Sequence, residues 1–264
     1  LKILTLFGLL LSLSISAATA AEDDVMKELI PTGKLRAGIA YAPAKTPVFV
    51  TKDALGQVEG VGLDLAKALA RSLGVEVELY VAATTGELTD ASTAGRIDIG
   101  FTPVDEERKQ RVDFSPPYFI IESTYLVTAA SGITTPEQVD RPEVTVAGIA
   151  GSTTIRAAGR TLKHAKIVPL KSVADAMAMM QAGTAQALAL SRDAMPALQK
   201  TLPGSRVLVG AFQVTGVAMS VPKNRPAALA YVTRFIEKAK ADGTVRRAFD
   251  AAGLQDLTVA PAGE

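Results

Sequence analysis

Two short stretches hold the residues best suited to chemistry. In FTPVDEERKQRVDFSPPY (residues 101–118), Arg108 sits within a run of alternating charge, and a guanidinium is a planar fork of donors that matches a carboxylate. In AGIAGSTTIR (residues 147–156), an apolar run closes at Gly151 and is followed by Ser152, Thr153 and Thr154. If a helix begins there, its hydroxyls and unpaired backbone N–H groups stabilise an anion, although Ser152 or Thr153 acting as a plain helix cap needs no ligand. Both stretches follow short apolar strands, and in open α/β sheets ligands bind beyond the carboxyl ends of strands. Two facing lobes would place Arg108 on one side of a cleft and Ser152 with Thr153 on the other, with a small carboxylate between them.

Other chemistries lack their residues. The chain has one histidine and no cysteine, so no metal cluster of usual spacing is expected, and neither a nucleophile elbow nor a phosphate loop occurs. Gly56, Gly60 and Gly62 have the wrong order for a dinucleotide fingerprint and read as turn residues before a helix. His164, in the basic connection TLKHAKIV, reads as a solvated residue. No catalytic residue, metal or cofactor is expected.

The elements that must position the two stretches follow from periodicity. GKLRAGIAY, from Gly33, reads as a buried strand ending near Pro43 and Pro47. GLDLAKALARSLG carries Leu65, Leu69 and Leu73 four apart on one face, Asp64 in the first turn and Gly74 as a stop. VEVELYVA alternates as a strand, GELTDASTAG reads as a short helix, and RIDIGF is a strand that delivers Arg108 at its carboxyl end. The second half repeats this order with VTVAGIAG, STTIRAAGRTLK, AKIVPL, SVADAMAMMQAG and AQALAL. In both halves an Ala-Gly pair, Ala94 with Gly95 and Ala182 with Gly183, closes the second helix before a short apolar strand. Two βαβαβ units, each with its own parallel sheet, are expected. RVLVGAFQVTGVAMSVPKN is strand-like on both sides of Gly216, and the closing helices are PAALAYVTRFIEKAKADG, with Asn224 as a candidate cap, and TVRRAFDAAG. A chain that returns to the first lobe crosses between lobes twice, which makes a hinge.

Composition sets the class. With 28 basic and 27 acidic residues among 264, there is no clustered positive excess to meet a nucleic acid. With 48% hydrophobic residues the chain can bury a large core, and its length leaves room for two domains. Residues 1–20, LKILTLFGLLLSLSISAATA, combine one cation, an apolar run and a small-residue end at Ala18 to Ala20, the pattern of a cleaved signal peptide. The run is shorter than a membrane span requires. Without cysteine the exported chain has neither disulfides nor a lipoprotein acylation site, so it must be held by packing.

Taken in order, GKLRAGIA, GVGLDLAKALARSLG, GRIDIGF, DEERKQRVDFSPPY, GSTT and ADGTVRRAFDAAG resemble the periplasmic solute-binding proteins of ABC importers for polar amino acids, the bacterial extracellular solute-binding proteins of family 3. The resemblance spans nearly the whole chain after residue 20. It implies a two-lobe α/β fold with each lobe a βαβ-type sheet flanked by helices, lobe 1 being residues 33–124 plus 213–256 and lobe 2 residues 128–209. It implies a periplasmic monomer that closes on an amino acid or related organic acid, without a cofactor, and presents it to an ABC transporter permease in the inner membrane. By the same resemblance Arg108 grips the ligand carboxylate, and Gly151, Ser152 and Thr153 complete its cage. Some members of the superfamily resemble cyclohexadienyl dehydratases, in which a cleft acid moves a proton, and a sensor that docks on a receptor is the other alternative.

The departures from that family bear on the ligand. Two positions that are serines in many relatives are Phe101 and Pro103, and proline also removes a backbone donor. The acid that pairs with an α-ammonium in the second lobe falls at Ser191, and the acid that often follows the first strand falls at Ala40. A buried ammonium without a carboxylate is costly, so either Glu122 or Asp193 substitutes or the ligand carries no ammonium. Arg192 is a candidate second anion contact. Tyr41, Phe49, Phe101 and Tyr118 are candidate cleft walls, with Gln213 and Thr215 reaching in from the second crossover.

Overall fold

Leu65 and Leu69 are fully buried on a helix over Val61–Leu73, as their four-residue spacing requires. The structure is a computed structural model that describes residues 22–42, 46–53 and 55–263; the expected signal peptide lies outside them. The first part of the chain carries α1 (residues 22–29), β1 (Leu35–Tyr41), β2 (Phe49–Lys52), β3 (Val58–Glu59), α2 (Val61–Leu73), β4 (Val77–Ala82), α3 (Thr85–Thr93), β5 (Ile99–Pro103) and the short α4 (Glu106–Lys109). A long strand, β6 (Val112–Val127), leads into the second set: β7 (Thr145–Ile149), α5 (Thr153–Thr161), β8 (Lys166–Leu170), α6 (Val173–Gln181), β9 (Ala187–Ser191), α7 (Met195–Gln199) and β10 (Arg206–Val207). The chain returns through β11 (Gln213–Pro222) and closes with α8 (Pro226–Ala241) and α9 (Thr244–Ala251).

Each half has a parallel centre. β1 pairs in parallel with β2, β4 and β5, and β7 with β8 and β9. Gly95 and Gly183 both turn out of their helices with left-handed φ, 69° and 70°, so the repeated Ala-Gly pair is the same helix stop used twice. The first half buries Leu35, Ile39, Leu65, Leu69, Val217, Val232 and Phe249 in one cluster. The second half packs apolar clusters that include Leu188 with Met180 and Tyr125 with Val146.

The expectation of two separate sheets is corrected by the crossovers. β11 pairs antiparallel with β5 on one side and with β6 on the other, and β6 pairs antiparallel with β9. Hydrogen bonds therefore run in one path, β3-β2-β1-β5-β11-β6-β9-β7-β8. The reason is that both connections between halves are extended strands lying side by side. β6 keeps this pairing through Pro116 and Pro117, which lack ladder donors, because the β6–β11 register shifts on either side of Ala218 and the Ser115 hydroxyl accepts the Met219 N–H at 3.2 Å. Gly216 lies inside β11 and does not interrupt it. Asn224 has a left-handed φ of 62°, and the residue before α8 is Arg225.

One buried carboxylate ties the amino-terminal half to the returning chain. Asp98, with no exposed surface, accepts from the Arg36 side chain at 2.9 and 2.7 Å and from its backbone N–H at 3.1 Å, while Arg225 reaches the same carboxylate at 3.2 Å. Arg225 also donates to the Glu28 carbonyl at 2.7 Å. Removing the carboxylate leaves two partly buried guanidinium groups short of an acceptor, a loss of about 3–5 kcal/mol. Asp98→Ala is expected to lower the urea midpoint of unfolding by that much stability, read from equilibrium denaturation.

Candidate functional site

The start of α4 is set by Asp105, whose carboxylate accepts the Arg108 N–H at 2.8 Å as a cap. That turn aims Arg108 inward, where only 2% of it is exposed. A guanidinium has five N–H donors, and each finds an acceptor here. Nε donates to Thr89 Oγ1 at 3.1 Å, Nη1 to the Pro103 carbonyl at 2.8 Å and to Thr153 Oγ1, and Nη2 to Thr85 Oγ1 at 2.8 Å and to the Gly151 carbonyl at 2.9 Å. Three of these acceptors belong to the first half of the chain; Thr153 and Gly151 belong to the second. Burial pushes the Arg108 guanidinium down to about 10, partly offset by Asp105. It therefore stays charged at neutral pH.

A second arginine crosses the same gap. Arg156, on α5, pairs with Asp105, with Glu107 at 3.0 Å and with the Gly151 carbonyl at 3.0 Å. Burial alone would raise Asp105, but the Arg108 N–H and the charges of Arg108 and Arg156 outweigh it and hold the carboxyl below its ordinary value. Beside these pairs the two backbones touch: a Cβ placed on Gly86 would stand 3.2 Å from the Cα and carbonyl oxygen of Gly151.

Next to Arg108 lies a cavity of about 200 Å³ whose lining includes Thr85, Pro103 and Thr153, three of its acceptors. The cavity is thus one layer from the guanidinium. Three helix starts border it: α3 at Thr84 and Thr85, α5 at Ser152 to Thr154, and α6 at Ser172 to Ala174. Their positive dipole ends favour an anion. Thr84, Ser152 and Ser172 also cap their own helices, accepting from Glu87, Ile155 and Asp175 N–H at 3.1 Å each. Ser152 is therefore a cap and a cavity residue at once. The remaining wall is mostly apolar, from Val48, Phe49, Ile121, Ile149 and Leu190, with Tyr41 near the rim.

The structure gathers some of the residues expected from the sequence and separates others. Arg108, Gly151 and Thr153 meet as described, and Tyr41, Phe49, Ser152 and Ser191 line the cavity. Phe101 does not: it is fully buried in the core of the first half, edge-on to Tyr118 at 6.2 Å and beneath Gly62. Tyr118 is also core, donating to the Pro47 carbonyl at 2.9 Å. Glu122 accepts from Arg192 at 2.8 Å, and both border a separate groove beside residues 256–261, as does Asp193. Arg192 is spent there on the Leu208 and Gly210 carbonyls as well. Ala40 is buried in the first half, Gln213 reaches Ser123 at 3.3 Å, and Thr215 donates to the Val104 carbonyl at 2.6 Å. Exposed His164 sits 3.2 Å from Asp140, whose carboxylate gathers three backbone N–H groups of that turn.

Sequence reasoning missed Thr85 and Thr89. Thr85 precedes the expected helix GELTDASTAG, and only because α3 begins at Thr85 does the four-residue spacing put both hydroxyls on one helical face.

A two-part α/β body joined by paired crossover strands, with ligand-sized space and helix starts between the parts, is the architecture of a periplasmic binding protein. The same form is seen in ArgBP from T. maritima, a mutant of which is similar with TM-score 0.73 and 26% identity over 86% of this chain and 97% of that one. The sequence pattern of the bacterial extracellular solute-binding proteins, family 3, matches residues 38–252, and the chain belongs to that amino-acid-binding family. It is 29% identical to the glutamine-binding protein of Geobacillus stearothermophilus over 75% of this chain and 76% of that protein. It is also similar to AncCDT-1, an ancestral amino acid-binding protein and precursor of cyclohexadienyl dehydratase, with TM-score 0.71 and 32% identity over 87% of this chain and 97% of that one.

Asp105 carries a pH test of the contact between halves. A carboxyl held below its ordinary 3.8 contributes stability that is complete above that pH and is lost as pH falls through the lowered folded value. Asp105→Asn is expected to be less stable than the native protein by about 2 kcal/mol at pH 7, the worth of hydrogen bonds to charged groups. The gap should narrow as pH falls below 3.8 and through the lowered folded value, as read from thermal melts between pH 2 and 7.

Proposed function

We propose that the protein captures a small carboxylate-bearing solute in the cavity beside Arg108 and serves as the substrate-binding component of an ABC importer. The observation that carries this reading is the donor set of Arg108. Two of its five bonds reach across to Thr153 and Gly151, and those are the donors a carboxylate entering from the cavity can claim without disturbing the three that fix the side chain. The three bordering helix starts add to the same attraction. Ser152 and Thr153 complete the carboxylate cage from the opposite side, with Tyr41 and Ser191 bordering the rest of the ligand.

A solute held between the two halves favours the conformation in which they meet, and only that form presents both to a permease. Membership of an extracellular family and the apolar leader at residues 1–20 support export to the periplasm, with cleavage after Ala20. Binding needs no cofactor, and no step of catalysis is invoked.

Arg108→Ala is expected to abolish carboxylate binding, measured by isothermal titration with amino acids and their deaminated analogues, while circular dichroism shows the fold retained. Unchanged affinity would remove the anchor. Thr153→Ala should weaken binding by about 1 kcal/mol or more. An equal loss of melting temperature without ligand would assign Thr153 to helix capping alone.

A further inference from the structure

Charge around the cavity is one-sided. Among the described residues no carboxylate lines it; the charged lining residue is Lys171. The acids nearest in sequence to the lining are spent on helix starts: Glu87 accepts the Ala83 N–H at 3.0 Å, and Asp175 accepts from the Ser172 hydroxyl at 2.8 Å. Asp105 is bound to Arg108 and Arg156. Glu122 and Asp193 border the other groove; Asp193 is buried behind the cavity wall, where the Ser191 hydroxyl bonds to it and burial raises its carboxyl toward the neutral form. Ser191, where the family resemblance places the acid that meets an ammonium, is a neutral hydroxyl at the cavity wall.

An ammonium in this space would sit near Lys171, the Arg108 charge and three positive helix ends, with no carboxylate among the described lining residues. Removing a cation from water without a partner is severely unfavourable. The apolar wall of Val48, Ile121, Ile149 and Leu190 instead suits a hydrocarbon remainder.

Resting on the capture reading above, we propose that the ligand is a small apolar carboxylic acid without an α-ammonium group, either a 2-oxo acid or the unsubstituted acid. Ser191 is the residue that sets this class. Its hydroxyl bonds to the Asp193 carboxylate behind the wall, and it carries no charge of its own to offer an amine.

The test is calorimetric titration of the protein with matched series: each apolar amino acid, its 2-oxo acid and its deaminated acid, leucine with 4-methyl-2-oxopentanoate and 4-methylpentanoate among them. The expected result is that at least one 2-oxo or deaminated acid binds about tenfold or more tighter than its amino acid. Ser191→Asp should then reverse the preference. Tighter binding of the amino acid by the native protein overturns this inference and leaves the capture reading standing; if Asp193→Asn removes that binding, Asp193 is the ammonium partner. No binding by any member of the series overturns this inference, and no binding by the polar amino acids and their deaminated analogues either overturns the capture reading as well.

Discussion

A buried guanidinium cannot be left with idle donors, because each unpaired N–H would cost the full price of its desolvation. Arg108 meets that demand by drawing acceptors from α3, β5 and the turn before α5. The demand therefore shapes more than a binding site. It fixes where α3 lies against the end of β5, and it brings the Gly151 turn within reach of the first half. Asp105 makes the arrangement affordable electrostatically by capping α4 and balancing both Arg108 and Arg156.

The sheet supplies the complementary constraint. Because β6 and β11 pair with each other and with one strand from each half, any change in the angle between the halves must be taken up by these two strands. Their register is irregular around Ala218, on the side of β11 nearer the first half. Upstream of it, Gln213 to Val217 keep an unbroken ladder with β6. The stretch of β6 that borders the cavity, at Ile121, lies within this regular ladder.

How much of this was legible depended on whether the signal was local. Leu65 with Leu69, the twin Ala-Gly stops and the alternation of the short strands all report local geometry, and each element stands where its pattern put it. The sixteen residues of β6 were hidden by Pro116 and Pro117, since tolerance for them comes from Ser115 and a register shift on another strand. Phe101 shows the same limit at the site. Its type suited a cleft wall, but the face it occupies was decided by packing against Tyr118 and Gly62. Thr85 and Thr89 were ordinary helix residues until the arginine that needed them was placed. That positions 191 and 40 carry a serine and an alanine, with no charge, was readable directly.

The meeting of Gly86 with Gly151 has a dimensional consequence. Where bare backbone meets bare backbone, the nearest approach is set by van der Waals radii and owes nothing to rotamers. A Cβ on Gly86 would stand 3.2 Å from Gly151 atoms, and Gly151 holds a left-handed φ of 68° that side chains resist. The two glycines thus act as a calibrated stop. A side chain at either position would push apart the starts of α3 and α5, and with them two walls of the cavity, so its narrowness depends on two residues that carry no side chain at all.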